Sequence, residues 1–163
     1  MKSEEVTRIL ENAIRIGKGV IRYGSVASYI PELAKADKNK LGICLYTIDG
    51  NQFETGNTED RFTIQSISKV MALCLALETF GAEFVFDYVG VEPSGEAFNS
   101  LVELDNRSNR PFNPMINSGA ITVASLLVNH YSIEDMQKYM QDVCEDPEIA
   151  IDEAVFQSEM ATC

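Results

Sequence analysis

The stretch from Ser66 to Phe80 constrains this chain more than any other. It carries Val70, Met71, Leu73, Cys74, Leu75, Ala76 and Leu77, apolar nearly all the way round a helix. A helix without a polar face is predicted to be buried on most sides, a central pillar rather than a surface element. Gly81 follows as a natural stop. Such a pillar needs neighbours, and 163 residues can supply them. A domain of that length buries about two thirds of its unfolded surface.

The neighbours are read from periodicity and punctuation. Ser3, Glu4 and Glu5 open a helix on which Val6, Ile9, Leu10, Ala13 and Ile14 form one apolar stripe, with Gly17 and Gly19 expected to end it. A short turn or helix is predicted from Pro31 to Ala36. Leu41 to Ile48 reads as a strand, and Asp49-Gly50 as the hairpin turn before Gln52 to Gly56. Glu83 to Val89 is a short helix, Pro93-Ser94-Gly95 a turn, residues 103–114 a polar loop and Ser118 to Asn129 a further helix. Ser132, with Asp135 three positions on, opens a capped helix to about Glu145. Asp152 opens a last helix that is expected to reach Cys163 without a C-cap. One hairpin is a poor match for so many helices, because a lone two-stranded hairpin is marginal. The expectation is an α+β fold, with residues 1–163 as the front part of one larger domain. Its returning strands are missing or come from another chain.

Hydrophobic residues make up 45% and charged residues 23%, which excludes a disordered or collagen-like chain. The net charge of −12 repels polyanions, so no nucleic acid and no anionic membrane is expected as a partner. No apolar run approaches the roughly 18 residues of a membrane span. Met1 to Ile14 has no secretory apolar core. Charge is uneven: residues 1–40 hold 8 Lys/Arg against 5 Asp/Glu, while 131–163 hold 1 Lys against 9 Asp/Glu. The acidic tail reads as a solvated helical face. Cys44, Cys74, Cys144 and Cys163 show no metal spacing, and Cys44 and Cys74 lie in apolar runs, so buried free thiols are expected. His130 is the single histidine, which leaves little for zinc or Ser-His-Asp chemistry. A reducing, cytoplasmic setting fits.

Ser66-Ile67-Ser68-Lys69 is an SxxK, and on a helix its first and last residues share a face. A serine hydroxyl is a weak nucleophile and needs an adjacent base. A lysine desolvated under an apolar helix has its pKa lowered toward that task. The helix start adds backbone N–H groups and a positive dipole end for an oxyanion. With 12 Ser and 7 Lys, chance yields the pattern about half the time, so the motif alone is weak. Its plain alternative is Ser66 as an N-cap and Lys69 as a solvated first-turn lysine.

Four longer blocks narrow the choice. They are Gly24-Ser25-Val26-Ala27-Ser28-Tyr29-Ile30-Pro31, Phe62-Thr63-Ile64-Gln65-Ser66-Ile67-Ser68-Lys69, Pro93-Ser94-Gly95 with Phe98-Asn99-Ser100-Leu101, and Asn113-Pro114-Met115-Ile116-Asn117-Ser118-Gly119-Ala120. In order and spacing the chain resembles the serine-dependent glutaminases across nearly its whole length. The resemblance implies the fold of serine β-lactamases and penicillin-binding proteins. It implies hydrolysis of the L-glutamine side-chain amide to L-glutamate and ammonia, no metal or organic cofactor, and a homo-oligomer. Ser66 would attack the amide carbon and form a γ-glutamyl ester, with Lys69 as, or activating, the base. Tyr29 would lie beside the nucleophile and contact substrate. Asn117 would bind the amino-acid end, Glu159 would pair with the α-ammonium, and Gln65 would flank the nucleophile at the substrate. Without the resemblance, Tyr29 reads as packing, Asn117 as a helix N-cap and Glu159 as one more acid on an acidic face.

The resemblance breaks after Glu159. The family continues with an Asp-Arg-Asn-type helix, two tyrosines, a second oxyanion N–H and further strands, where this chain reads Met160-Ala161-Thr162-Cys163. A missing oxyanion donor alone costs about two to three orders of magnitude in rate. Two readings follow: a glutaminase piece active with its other half, or an inactive truncated product or interaction module pairing through its hairpin edge. A β-lactamase-like acylase is a third, opposed by the absence of a Ser-Asp-Asn motif.

Overall fold

The computed structural model describes residues 3–95 and 110–162. It is a mostly helical α+β chain with, among the described residues, one antiparallel hairpin. The chain packs as two compact units, Met1–Thr63 with Asp152–Cys163, and Ile64–Ile151. The Phe98-Asn99-Ser100-Leu101 block, residues 103–109 of the predicted loop and Cys163 lie outside the described residues.

In the first unit, α1 (Ser3–Val20) lies against a hairpin of β1 (Gly42–Tyr46) and β2 (Gln52–Gly56). Its buried row is Val6, Leu10 and Ile14. Ile9 is 50% exposed and Ala13 is exposed, so the stripe is narrower than expected. Nor do the glycines end the helix, which runs through both. Gly17 lies against the segment entering β1: a Cβ there would sit 2.7 Å from Leu41 Cδ2. A mid-helix glycine costs about 1 kcal/mol, too little to stop a helix held by the buried Leu10 and Ile14 before it and by the contact with Leu41 beside it.

The ladder pairs Ile43 with Thr55 and Leu45 with Phe53. Gly50 supplies the left-handed turn residue at φ +83°, as its Asp-Gly signal predicts. Ile43, Phe53 and Thr55 are half-buried, while Cys44 and Tyr46 point to the exposed face. Period-two alternation thus overturns the expectation of a buried Cys44.

Residues Leu33–Lys35 form the short helix expected after Pro31. The segment before it is pinned by Ile30, only 2% exposed, and by the Glu32 N–H, which donates to Ser158 Oγ (3.2 Å) on α6 (Glu153–Met160). Asp152 caps α6 through the Val155 N–H. The helix also closes, contrary to expectation, at Ala161, whose N–H donates to Gln157 O, with the Thr162 N–H on Glu159 O.

The second unit contains α2 (Ser68–Phe80), α3 (Ala82–Tyr88), α4 (Asn117–Leu127) and α5 (Ile133–Cys144). Leu75, Ala76, Val85, Val89, Val123 and Leu127 form its core. Gly81, at φ +80°, joins α2 to α3 and donates its N–H to Leu77 O. Ser132 and Asp135 close a capping box on α5, as expected. The pillar itself is corrected: only Leu75 and Ala76 of α2 are buried. Ile67, Val70, Cys74 and Glu78, at helical spacing, are exposed, so Cys74 is a free thiol at the surface. No helix among the described residues is long and apolar enough to cross a membrane.

Candidate active site

Ser66 lies in a single 3₁₀ turn, Gln65–Ile67, that feeds directly into α2. Gln65 is in the left-handed region at φ +45°, a conformation that non-glycine residues adopt at a cost of about 1–3 kcal/mol. The turn is held by Ser68 Oγ, which donates to Gln65 O (2.7 Å), and by the Ile67 N–H, which donates to Ile64 O (2.9 Å). Ser66 is exposed, and Gln65 is half-buried. No side chain caps α2, so the hydroxyl of Ser66 does not serve as its N-cap.

Lys69, on the first turn of α2, is half-buried. Its Nζ donates to Asn117 Oδ1 (2.6 Å) and to the carbonyl oxygen of Met115 (3.0 Å). Lys69 is therefore not the solvated first-turn lysine of the plain reading. It is not buried under a dry pillar either, because the outer face of α2 is open; hydrogen bonds rather than apolar surroundings hold the amine. Asn117 is likewise no N-cap. It is the first residue of α4, whose cap position is Ile116 with no side-chain bond, and its amide oxygen is taken by Lys69. An oxygen turned to Lys69 turns the Nδ2 donors of the same amide away from it.

The same unit has an apolar hollow between α2, α4 and α5, lined by Lys69, Met71, Leu75, Ile121, Met136 and Tyr139. Burial pushes the Tyr139 phenol up, and the neighbouring Glu78 charge adds to it.

Tyr29 and Glu159 belong to the first unit. Tyr29 is 69% exposed and Glu159 is exposed on α6. Their segments are tied by the Glu32–Ser158 bond, so the stretch carrying Tyr29 and the helix carrying Glu159 are neighbours. The structure thus gathers the expected residues in two sets: Gln65, Ser66, Lys69 and Asn117 in one unit, Tyr29 and Glu159 in the other. Sequence reasoning missed the Met115 carbonyl and the strain at Gln65. A backbone acceptor leaves no mark on residue identity. Asn113-Pro114 does mark a turn there, and was the one available signal.

The glutaminase family model matches residues 24–163. A glutaminase of Alkaliphilus oremlandii is 43% identical over 157 residues, covering 94% of this chain and 52% of the relative. A glutaminase of Clostridium tetani is 45% identical, covering 94% and 51%. Among solved structures, a probable glutaminase ybaS superposes with a TM-score of 0.86 at 31% identity, covering 99% of this chain and 53% of that one. A probable glutaminase from Bacillus subtilis complexed with 6-diazo-5-oxo-L-norleucine gives 0.80 at 33% identity, covering 99% and 49%. The chain spans about half the length of the curated relatives it matches. Its helices and hairpin are accordingly part of a β-lactamase-like fold. The matched stretch takes in the Ser66 turn, Lys69 and the Asn117 helix alike, and the chain that holds them belongs to the glutaminase family.

Proposed function

We propose that this chain carries the acylation half of a serine amidohydrolase that converts L-glutamine to L-glutamate and ammonia. The observation that supports it is the Lys69 amine, bonded to Asn117 Oδ1 and Met115 O, three residues after Ser66 on one helical run. Those two acceptors orient the amine, and in its neutral form its lone pair takes the proton of Ser66. As that proton leaves, Ser66 Oγ bonds the side-chain carbonyl carbon of glutamine. The C–N bond then breaks and nitrogen leaves as ammonia with the proton returned through Lys69. Water hydrolyses the γ-glutamyl ester by the reverse proton path. The N–H groups at the start of α2 are suited to the oxyanion.

Specificity is assigned to the remaining residues. The Nδ2 donors of Asn117, turned away from Lys69, suit an oxygen at the amino-acid end of glutamine. Glu159 supplies the anion that an α-ammonium requires, Tyr29 contacts substrate beside the nucleophile, and Gln65 contacts it from the strained turn. The Bacillus subtilis relative's ligand carries a carbonyl at carbon 5 of an α-amino acid. Glutamine has its amide carbonyl at that carbon. The protein is further read as a cytoplasmic homo-oligomer, working without metal or organic cofactor, with residues 1–163 as part of one catalytic domain.

The test is ammonia release from L-glutamine together with trapping by 6-diazo-5-oxo-L-norleucine. Mass mapping is expected to place the label on the peptide containing Ser66, and Ser66→Ala is expected to abolish both signals. Label on another side chain, or turnover that survives Ser66→Ala, overturns the mechanism. Light scattering checks the oligomer; a monomer at working concentration refutes it.

A further inference from the structure

Asn113 is gripped from several directions. Its Oδ1 accepts from the N–H groups of Met115 (3.0 Å) and Ile116 (3.2 Å), and its Nδ2 donates to the carbonyl of Glu92 (2.9 Å). Its own carbonyl oxygen lies 1.9 Å from where a Cβ on residue 119 would be, so α4 seats against it only because that residue is glycine. The preceding residues are clamped too. Gly90 donates to Pro111 O (2.7 Å) and Glu92 to Phe112 O (3.0 Å).

The consequence lies in one peptide group. The Met115 carbonyl and the Ile116 N–H are opposite ends of a single planar unit. Asn113 Oδ1 holds the N–H end, and Lys69 Nζ bonds the carbonyl end. The next residue, Asn117, supplies the other acceptor of the same amine. Turning this peptide would carry the carbonyl away from Nζ and shift the start of α4 with it.

We infer that Asn113 is a positioning residue for Lys69. It sets the Met115–Ile116 peptide and the first residue of α4, and through them the amine. The catalytic consequence rests on the role proposed for Lys69 above, but the contact itself is testable without turnover.

The experiment is trace acylation of the 163-residue chain with acetic anhydride, reading the rate at Lys69 against the exposed Lys18 and Lys38. Asn113→Ala is expected to raise the relative rate at Lys69 roughly fivefold, the equivalent of one ordinary hydrogen bond. Asn113→Asp keeps the acceptor oxygen for the Met115 and Ile116 N–H groups while giving up the bond to Glu92 O, and is expected to show less than about half the rise of the alanine variant. If the alanine variant does not fold, Asn113→Gln, with its amide one methylene too far out, takes its place with the same expected rise. An unchanged rate at Lys69, a uniform rise at every lysine, or an aspartate variant as fast as the alanine one overturns the inference. Because acylation needs no glutamine turnover, a chain inactive on glutamine leaves this outcome readable.

Discussion

Helices α1 and α2 read in opposite ways and fold in opposite ways. Helix α1 is strongly charged, yet its Val6, Leu10 and Ile14 row is buried as its period demands. Helix α2 is apolar almost throughout, yet only Leu75 and Ala76 are buried and Val70 is 47% exposed. The difference teaches that polar residues carry the information about orientation. Charges on three sides of α1 leave one way to dock it. A helix apolar all round tolerates burial anywhere, so its neighbours alone decide which side is covered.

Several measurements can break or sharpen this contrast. The largest effect concerns chemistry, which the reading above places at the start of α2 and not on α1. Ser66→Ala is expected to lower glutamine turnover by about four orders of magnitude or more. Glu11→Ala, on an exposed position of α1, is expected to leave kcat unchanged; equal losses in steady-state assays would erase the distinction.

Stability comes next. Leu75→Ala removes a side chain from a cluster shared by α2, α3 and α4, and is expected to cost about 3 kcal/mol in denaturant titration. Leu10→Ala opens the stripe that α1 turns to a two-stranded hairpin and is expected to cost about 2 kcal/mol. The reverse order would mean that α1 is the better-packed helix.

Helix ends follow. Ser132→Ala on α5 is expected to cost about 1 kcal/mol. The Ser132 backbone N–H, and then its side chain, hold the Asp135 carboxyl below the usual aspartate range. That stabilisation is therefore complete above about pH 4, the unfolded value, and is lost as the pH falls through the lower folded value. Asp135→Asn should flatten this part of an acid titration followed by circular dichroism; an unchanged titration refutes the assignment. Smallest of all, Val70→Ser is expected to stay within about 0.5 kcal/mol, as befits an exposed face. A larger loss would show that the outer side of α2 is covered in solution.

Features with local causes were legible. Gly50 takes the positive φ that Asp49-Gly50 predicts, and Ser132 and Asp135 cap each other across three residues, because both depend on neighbours in the chain. Gly17 misled for the converse reason: its local preference for ending a helix yields to its contact with Leu41, distant in the chain. Cys44 and Cys74 misled because an apolar run gives average hydrophobicity but not direction, and both thiols face outward. At the site, Ser66 and Lys69 were visible as a spaced pair and Asn117 through its block. That Lys69 bonds Asn117 was not visible, since 48 residues separate them.

Residue order by itself determined the family, the hairpin and its turn, the existence of the helices, the capping box of α5, and which hydroxyl and amine lie one helical turn apart. Tertiary structure alone decided which side of α2 is covered, and that a backbone carbonyl and an amide oxygen receive the Lys69 amine. Local structure follows from interactions a few residues long, which a sequence displays. The direction of a buried or bonded side chain follows from partners the chain reaches only after folding back on itself.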